Sequence, residues 1–156
     1  MFRDVPDAYW AACDISKLAM NDVVVGYPDR TFRPSKNVSR AEFATMIVKG
    51  FNKDMYSAGS TSFKDVPSHH WASSMIAKAV NENLMKGYPN NLFKPQNPVT
   101  RVEAICAMSK ALNCQLDECK AKEVLSRYSD GSKIPDWAQV PIATALDQGI
   151  LKNTNN

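Results

Sequence analysis

Phe2-Arg3-Asp4-Val5-Pro6, with Trp10 four residues on, returns as Phe63-Lys64-Asp65-Val66-Pro67, with Trp71 four residues on. The offset is 61 (63 − 2 = 61). It holds without a gap through Ala11/Ala72, Ile15/Ile76, Gly26-Tyr27-Pro28/Gly87-Tyr88-Pro89, Phe32/Phe93, Pro34/Pro95, Val38/Val99, Arg40/Arg101, Glu42/Glu103 and Lys49/Lys110. A fixed period sustained over that length is the mark of a repeat architecture, in which each copy is one supersecondary unit. A third, incomplete copy starts at Tyr128: Tyr128, Asp130, Pro135, Trp137, Ala138, Ile142 and Ala143 echo Phe63, Asp65, Pro67, Trp71, Ala72, Ile76 and Ala77. After Leu151 no Gly-Tyr-Pro, Arg motif or second helix follows in this sequence.

Within a copy the hydrophobic spacing is helical. Ala11, Ile15, Leu18 and Ala19, their counterparts Ala72, Ile76, Ala79 and Val80, and Ala138, Ile142, Ala145 and Leu146 each form one apolar stripe. A second helix is predicted to bury Ala44, Ile47, Val48 and Phe51 in copy one, and Val102, Ile105, Met108 and Leu112 in copy two. The prolines of Gly-Tyr-Pro and Phe-x-Pro exclude helix between them, so the unit reads as helix, long loop, helix. The division is repeat one over 1–52, a Ser/Gly-containing linker over 53–62, repeat two over 63–113, a helical connector over 114–127 and the partial repeat three over 128–156. A single helix pair cannot bury both of its stripes, so the copies are expected to stack around a shared core in an all-α fold.

Composition excludes several function classes. The chain has 156 residues, 44% hydrophobic content, and 19 Lys and Arg against 16 Asp and Glu. No basic run interleaved with aromatics tracks an element, which argues against nucleic acid as a partner. Apolar stretches such as 23–25 and 46–48 are far shorter than a membrane span. No charged n-region or apolar h-region precedes Phe2, so a leader is expected to be removed or absent. The four cysteines, Cys13, Cys106, Cys114 and Cys119, occupy no equivalent repeat positions and form no ligand set with His69-His70, so neither metal nor cofactor is expected. Cys114 and Cys119 bracket a short loop and are candidates for a disulfide in an oxidising compartment.

Ser39-Arg40-Ala41-Glu42 and Thr100-Arg101-Val102-Glu103 open the second helices. Ser39 with Glu42, and Thr100 with Glu103, read as capping boxes in which hydroxyl and carboxylate satisfy the free amides of the first turn. Arg40 and Arg101 are not explained that way, because a cation is mildly unfavourable at the positive end of a helix. Their recurrence points to an anion, either a carboxylate of the protein or one on a ligand.

The ordered set Phe-x-Asp-Val-Pro, Trp, Gly-Tyr-Pro, Phe-x-Pro and (Ser/Thr)-Arg-x-Glu closely resembles the S-layer homology family. The resemblance covers two full copies and the first half of a third. It implies a pseudo-threefold assembly of helix-loop-helix copies whose grooves bind an envelope glycan without catalysis, in an exported module of the cell wall, S-layer or periplasmic face of an outer membrane. The glycan it implies is a pyruvylated secondary cell-wall polysaccharide, or peptidoglycan and its attached polymers, and the module is expected to be part of a longer surface or outer-membrane protein. Carried onto this sequence, it makes Arg40 and Arg101 the anion contacts, with Trp10, Trp71 and Trp137 as apolar faces for sugar rings. Asp4, Asp65, Tyr27, Tyr88 and Asp29 would line or shape the same grooves. Packing between loop and helix is the alternative role for the tryptophans and tyrosines.

Arg30 and Asn91 stand where the family commonly has glycine, which leaves the shape of the first turn open. The competing reading is a protein-interaction or assembly module in which Arg40 and Arg101 bridge to neighbouring copies. It is separated from glycan capture by whether the guanidinium groups are already satisfied internally.

Overall fold

A computed structural model describes residues 2–51, 59, 61–113 and 115–151. The described chain is all-α: α1 (Ala12–Met20), α2 (Arg40–Phe51), α3 (Ser73–Asn81), α4 (Arg101–Ala111), α5 (Glu118–Leu125) and α6 (Asp136–Asp147), with a 3-10 turn at Gly131–Lys133. All the helices expected from periodicity are present. Most of the linker over 53–62 lies outside the described residues, as does Cys114. The candidate Cys114–Cys119 pairing therefore falls outside the described residues, while Cys119 itself is exposed on α5.

The chain divides into two compact units whose boundaries do not coincide with the repeats. The first comprises residues 1–82 and 86–99, the second 83–85 and 100–156. In the first unit α2, the second helix of copy one, packs on α3, the first helix of copy two. Its core holds Val5, Ile15, Val24, Ala44, Ile47, Val48, Val66, Ile76, Ala79 and Phe93. In the second unit α4 packs against α6 by the same rule, and α5 also packs on α6. Ile105, Cys106, Ala121, Val124, Leu125, Ala138 and Ile142 close that core. The buried Ser109 hydroxyl donates to the Pro141 carbonyl at 2.8 Å.

The loops are held by the motif residues themselves. Both carboxylate oxygens of Asp4 accept backbone amides, from Phe32 and Arg33, each at 2.7 Å. Asp65 takes the amides of Phe93 (2.8 Å) and Lys94 (2.7 Å) in the same way. The Phe32 amide is the main influence holding the Asp4 carboxyl below its ordinary value. Phe2 packs at a tilt against Phe32 with ring centroids 5.4 Å apart, and Phe63 against Phe93 at 5.5 Å. A Cβ at Gly26 or Gly87 would collide with the Phe2 or Phe63 ring, so Phe-x-Asp and Gly-Tyr-Pro are two halves of one clasp.

Arg30 (φ 63°) and Asn91 (φ 61°) both sit in the left-handed region, as does glycine in such turns. Asn tolerates that conformation through its short polar side chain; Arg carries the Cβ penalty without that compensation. Arg30→Gly is therefore expected to raise stability by about 0.5–1 kcal/mol, the relieved strain less the entropy of an added glycine. Arg30→Ala should leave it unchanged. Urea unfolding midpoints of the two variants check the difference.

Candidate functional site

The second helix of copy one is plugged into the loop of copy two. The free amides of Arg40 and Ala41 donate to the carbonyls of Asn97 (2.8 Å) and Pro95 (3.0 Å), so loop oxygens complete the first turn of α2. The Arg40 side chain continues that contact. Its Nε donates to the Phe93 carbonyl at 2.9 Å and an Nη to the Lys86 carbonyl at 2.7 Å. The guanidinium lies 4.6 Å from the ring centroids of both Tyr88 and Phe93. Arg40 is 2% exposed. These two carbonyls and two aromatic faces all come from the next copy, and the Arg40 side chain is buried among them. Arg101, at the same register on α4, is exposed.

The capping boxes form as expected. The Glu42 carboxylate accepts the Ser39 amide at 2.8 Å while the Ser39 hydroxyl accepts the Glu42 amide at 3.2 Å. Thr100 and Glu103 reciprocate in the same manner on α4.

An open groove in the first unit, about 780 Å³ including its mouth, runs between loop one and α2 and reaches Trp71. Apolar Val25, Phe32, Pro34 and Met46 form its floor, Thr45 adds a hydroxyl, and Arg33, Lys36 and Lys49 bring positive charge against the single carboxylate of Glu42. Trp71 is 62% exposed and stacks on His70. Tyr27 lies inside the groove, donating its hydroxyl to Glu42 at 3.1 Å and accepting from Lys36 at 2.6 Å. Arg33 stands 4.1 Å from the Tyr27 ring centroid on one approach and Lys36 4.8 Å on another. Partial burial opposes ionisation of Glu42, yet the Ser39 amide and hydroxyl, the Tyr27 hydroxyl and Lys36 together hold its carboxyl below the ordinary value. Lys36 is held above its own by Tyr27 and then Glu42.

The remaining expected site residues fall elsewhere. Asp4 and Asp65 face loop amides, as described above. Asp29 closes its own turn through Thr31 and bridges to Arg33 at 2.9 Å, and those bonds hold its carboxyl at about 2. Tyr88 packs beneath Arg40 and Lys94. Trp10 and Trp137 are exposed outside this groove, at 85% and 61%. Lys49, Thr45 and Met46 were not singled out by the sequence, although Lys49 recurs as Lys110 and that recurrence was a usable signal. Among the described residues no three His, Cys, Asp or Glu side chains converge as a metal site, and no helix is long and apolar enough to cross a membrane.

Helix-loop-helix copies, the first locked to the second by Arg40 seated in its neighbour's loop, define a modular repeat domain with an open groove beside the lock. The S-layer homology domain profile matches residues 2–44 and 62–105. The chain belongs to that family. It is 36% identical over 115 residues to a cellulosome-anchoring protein of Acetivibrio thermocellus, covering 71% of this chain and 26% of the relative. It is 35% identical to a surface layer protein of Brevibacillus choshinensis over 63% of this chain and 9% of the relative. It is also 32% identical to an amylopullulanase of Thermoanaerobacterium thermosulfurigenes over 99% of this chain and 8% of the relative. The chain spans about a quarter or less of each of these proteins.

Proposed function

We propose that the chain is a non-catalytic anchoring module of an exported bacterial surface protein, and that its first-unit groove binds an acidic polymer of the cell wall. The observation that carries this reading is the facing of exposed Trp71 toward three cationic side chains across one apolar-floored groove. An aromatic face suits the apolar side of a sugar ring, and an ammonium or guanidinium suits a pyruvyl, phosphate or peptide-stem carboxylate. The names of the relatives support the setting: one anchors a cellulosome and another forms a surface layer. The match to an amylopullulanase covers all but a sliver of this chain and only 8% of that enzyme, which is what a shared non-catalytic module would give.

In this proposal anion capture moves from Arg40 to Lys36, Arg33 and Lys49, with Trp71 as the sugar platform. Trp71→Ala and Lys36→Gln are each expected to weaken co-sedimentation with wall sacculi by roughly tenfold, the scale of one lost charged hydrogen bond or stacking contact. Both positions are exposed, so thermal midpoints should hardly change. Trp10→Ala should bind as the parent does. Sacculi stripped of attached polymers should lose the parent's binding. Equal binding by the Trp71→Ala, Lys36→Gln and parent proteins would overturn the assignment.

A further inference from the structure

Glu42 is the single carboxylate among the described residues that line the groove, and its two oxygens are engaged separately. Oε2 accepts the Ser39 amide at 2.8 Å and completes the cap of α2. Oε1 accepts the Tyr27 hydroxyl at 3.1 Å and pairs with the Lys36 ammonium at 3.3 Å, while Lys36 also donates to the Tyr27 hydroxyl at 2.6 Å. Capping does not require this second set of contacts. Thr100 and Glu103 form a complete capping box on α4, although the residue equivalent to Lys36 in copy two is the uncharged Asn97. The Lys36–Glu42 pair is therefore peculiar to the groove of copy one. Lys36 is exposed and Glu42 partly so, which leaves the pair within reach of an entering anion.

We propose that Glu42 is a built-in competitor in the groove: its Oε1 holds Lys36, and an acidic group of the ligand binds there by taking that oxygen's place. The inference rests on the anionic-ligand reading of the groove and adds what limits and selects its binding. The entering group meets a donor set that is already assembled, the Lys36 ammonium and the Tyr27 hydroxyl held 2.6 Å apart. Oε2 remains on the Ser39 amide during the exchange, so α2 stays capped. A neutral sugar offers Lys36 nothing in return for a carboxylate, so the pair discriminates against uncharged units as well as admitting charged ones.

Glu42→Gln tests this, because glutamine fills the N3 place of a capping box as glutamate does and offers Lys36 only a neutral oxygen. Two probes are used: wall sacculi with their polymers attached, read by co-sedimentation, and inorganic phosphate alone, read by the Trp71 indole and Lys36 amide resonances. Glu42→Gln is expected to bind each probe roughly two- to fivefold more tightly than the parent, the range of a partly exposed ion pair. In a Lys36→Gln background the same substitution should give no gain, since the group that Glu42 competes for is gone. Equal or weaker phosphate binding by Glu42→Gln would overturn the proposal. So would a gain that persists without Lys36, which would reduce Glu42 to a diffuse repulsive charge. A Lys36-dependent gain for phosphate, with neither the parent nor Glu42→Gln retained on sacculi, would uphold the competitor and refute the acidic-polymer reading.

Discussion

Arg40→Ala is expected to destabilise the chain by about 2–4 kcal/mol, and Arg101→Ala by less than about 0.5 kcal/mol, although the two residues are equivalent in the repeat. Truncating Arg40 removes a buried guanidinium and leaves the Lys86 and Phe93 carbonyls without their donor. Each abandoned buried acceptor costs about 1–3 kcal/mol. The void between the Tyr88 and Phe93 rings adds to that, while relief of a desolvated charge subtracts from it. Arg40→Lys should fall between parent and alanine, since an ammonium on a flexible stem does not span two carbonyls as the planar fork does. Arg101 is exposed, and exposed substitutions away from special features stay within about 0.5 kcal/mol. Urea unfolding of the three variants checks the ordering. Equal, small effects at both arginines would mean that Arg40 is not the lock described here.

Ending the chain after residue 113 is expected to remove cooperative unfolding from α4 and cause aggregation. The truncation takes away α5 and α6, which supply Val124, Leu125, Ala138 and Ile142 to the core that buries Ile105 and Cys106. Each fully buried branched side chain contributes about 1.5–3 kcal/mol of transfer free energy. Ile105, Val124, Leu125 and Ile142 together thus represent roughly 6–12 kcal/mol gross, comparable with a whole domain's net stability before ordering costs. Ser109 would also lose the Pro141 carbonyl. Gel filtration and hydrogen exchange of the fragment test this. A monomeric fragment with protected α4 amides would refute the dependence of α4 on α6.

The helices were legible because their evidence is local: apolar stripes at 3.6-residue spacing, and Ser39/Glu42 and Thr100/Glu103 at N-cap and N3. Arg30 stood out as a departure from glycine, but the left-handed shape of its turn did not follow from the sequence. The seat of Arg40 was not legible: two of its acceptors are carbonyls 46 and 53 residues further along. Nor were the partners of Asp4, which are backbone amides 28 and 29 residues away. Side chains that bond to main chain at long range leave no compositional trace. The groove itself was half legible: Trp71 and Tyr27 stand out as repeated aromatics, while nothing local in the sequence places Lys36 and Lys49 in one groove with Trp71.

The offset between repeat and packing unit has a consequence for how such arrays can diverge. Because the lock at Arg40 is built from one copy's helix and the next copy's loop, a newly duplicated copy arrives with both halves of the joint already encoded. It can be inserted at any place in an array without inventing an interface. The same sharing ties the copies together during divergence: a change at Tyr88 or Phe93 alters the seat of an arginine that belongs to its neighbour. Trp71 and Lys36 are exposed and take no part in that seat, so they are free to change without disturbing the joint that keeps the copies interchangeable as building blocks.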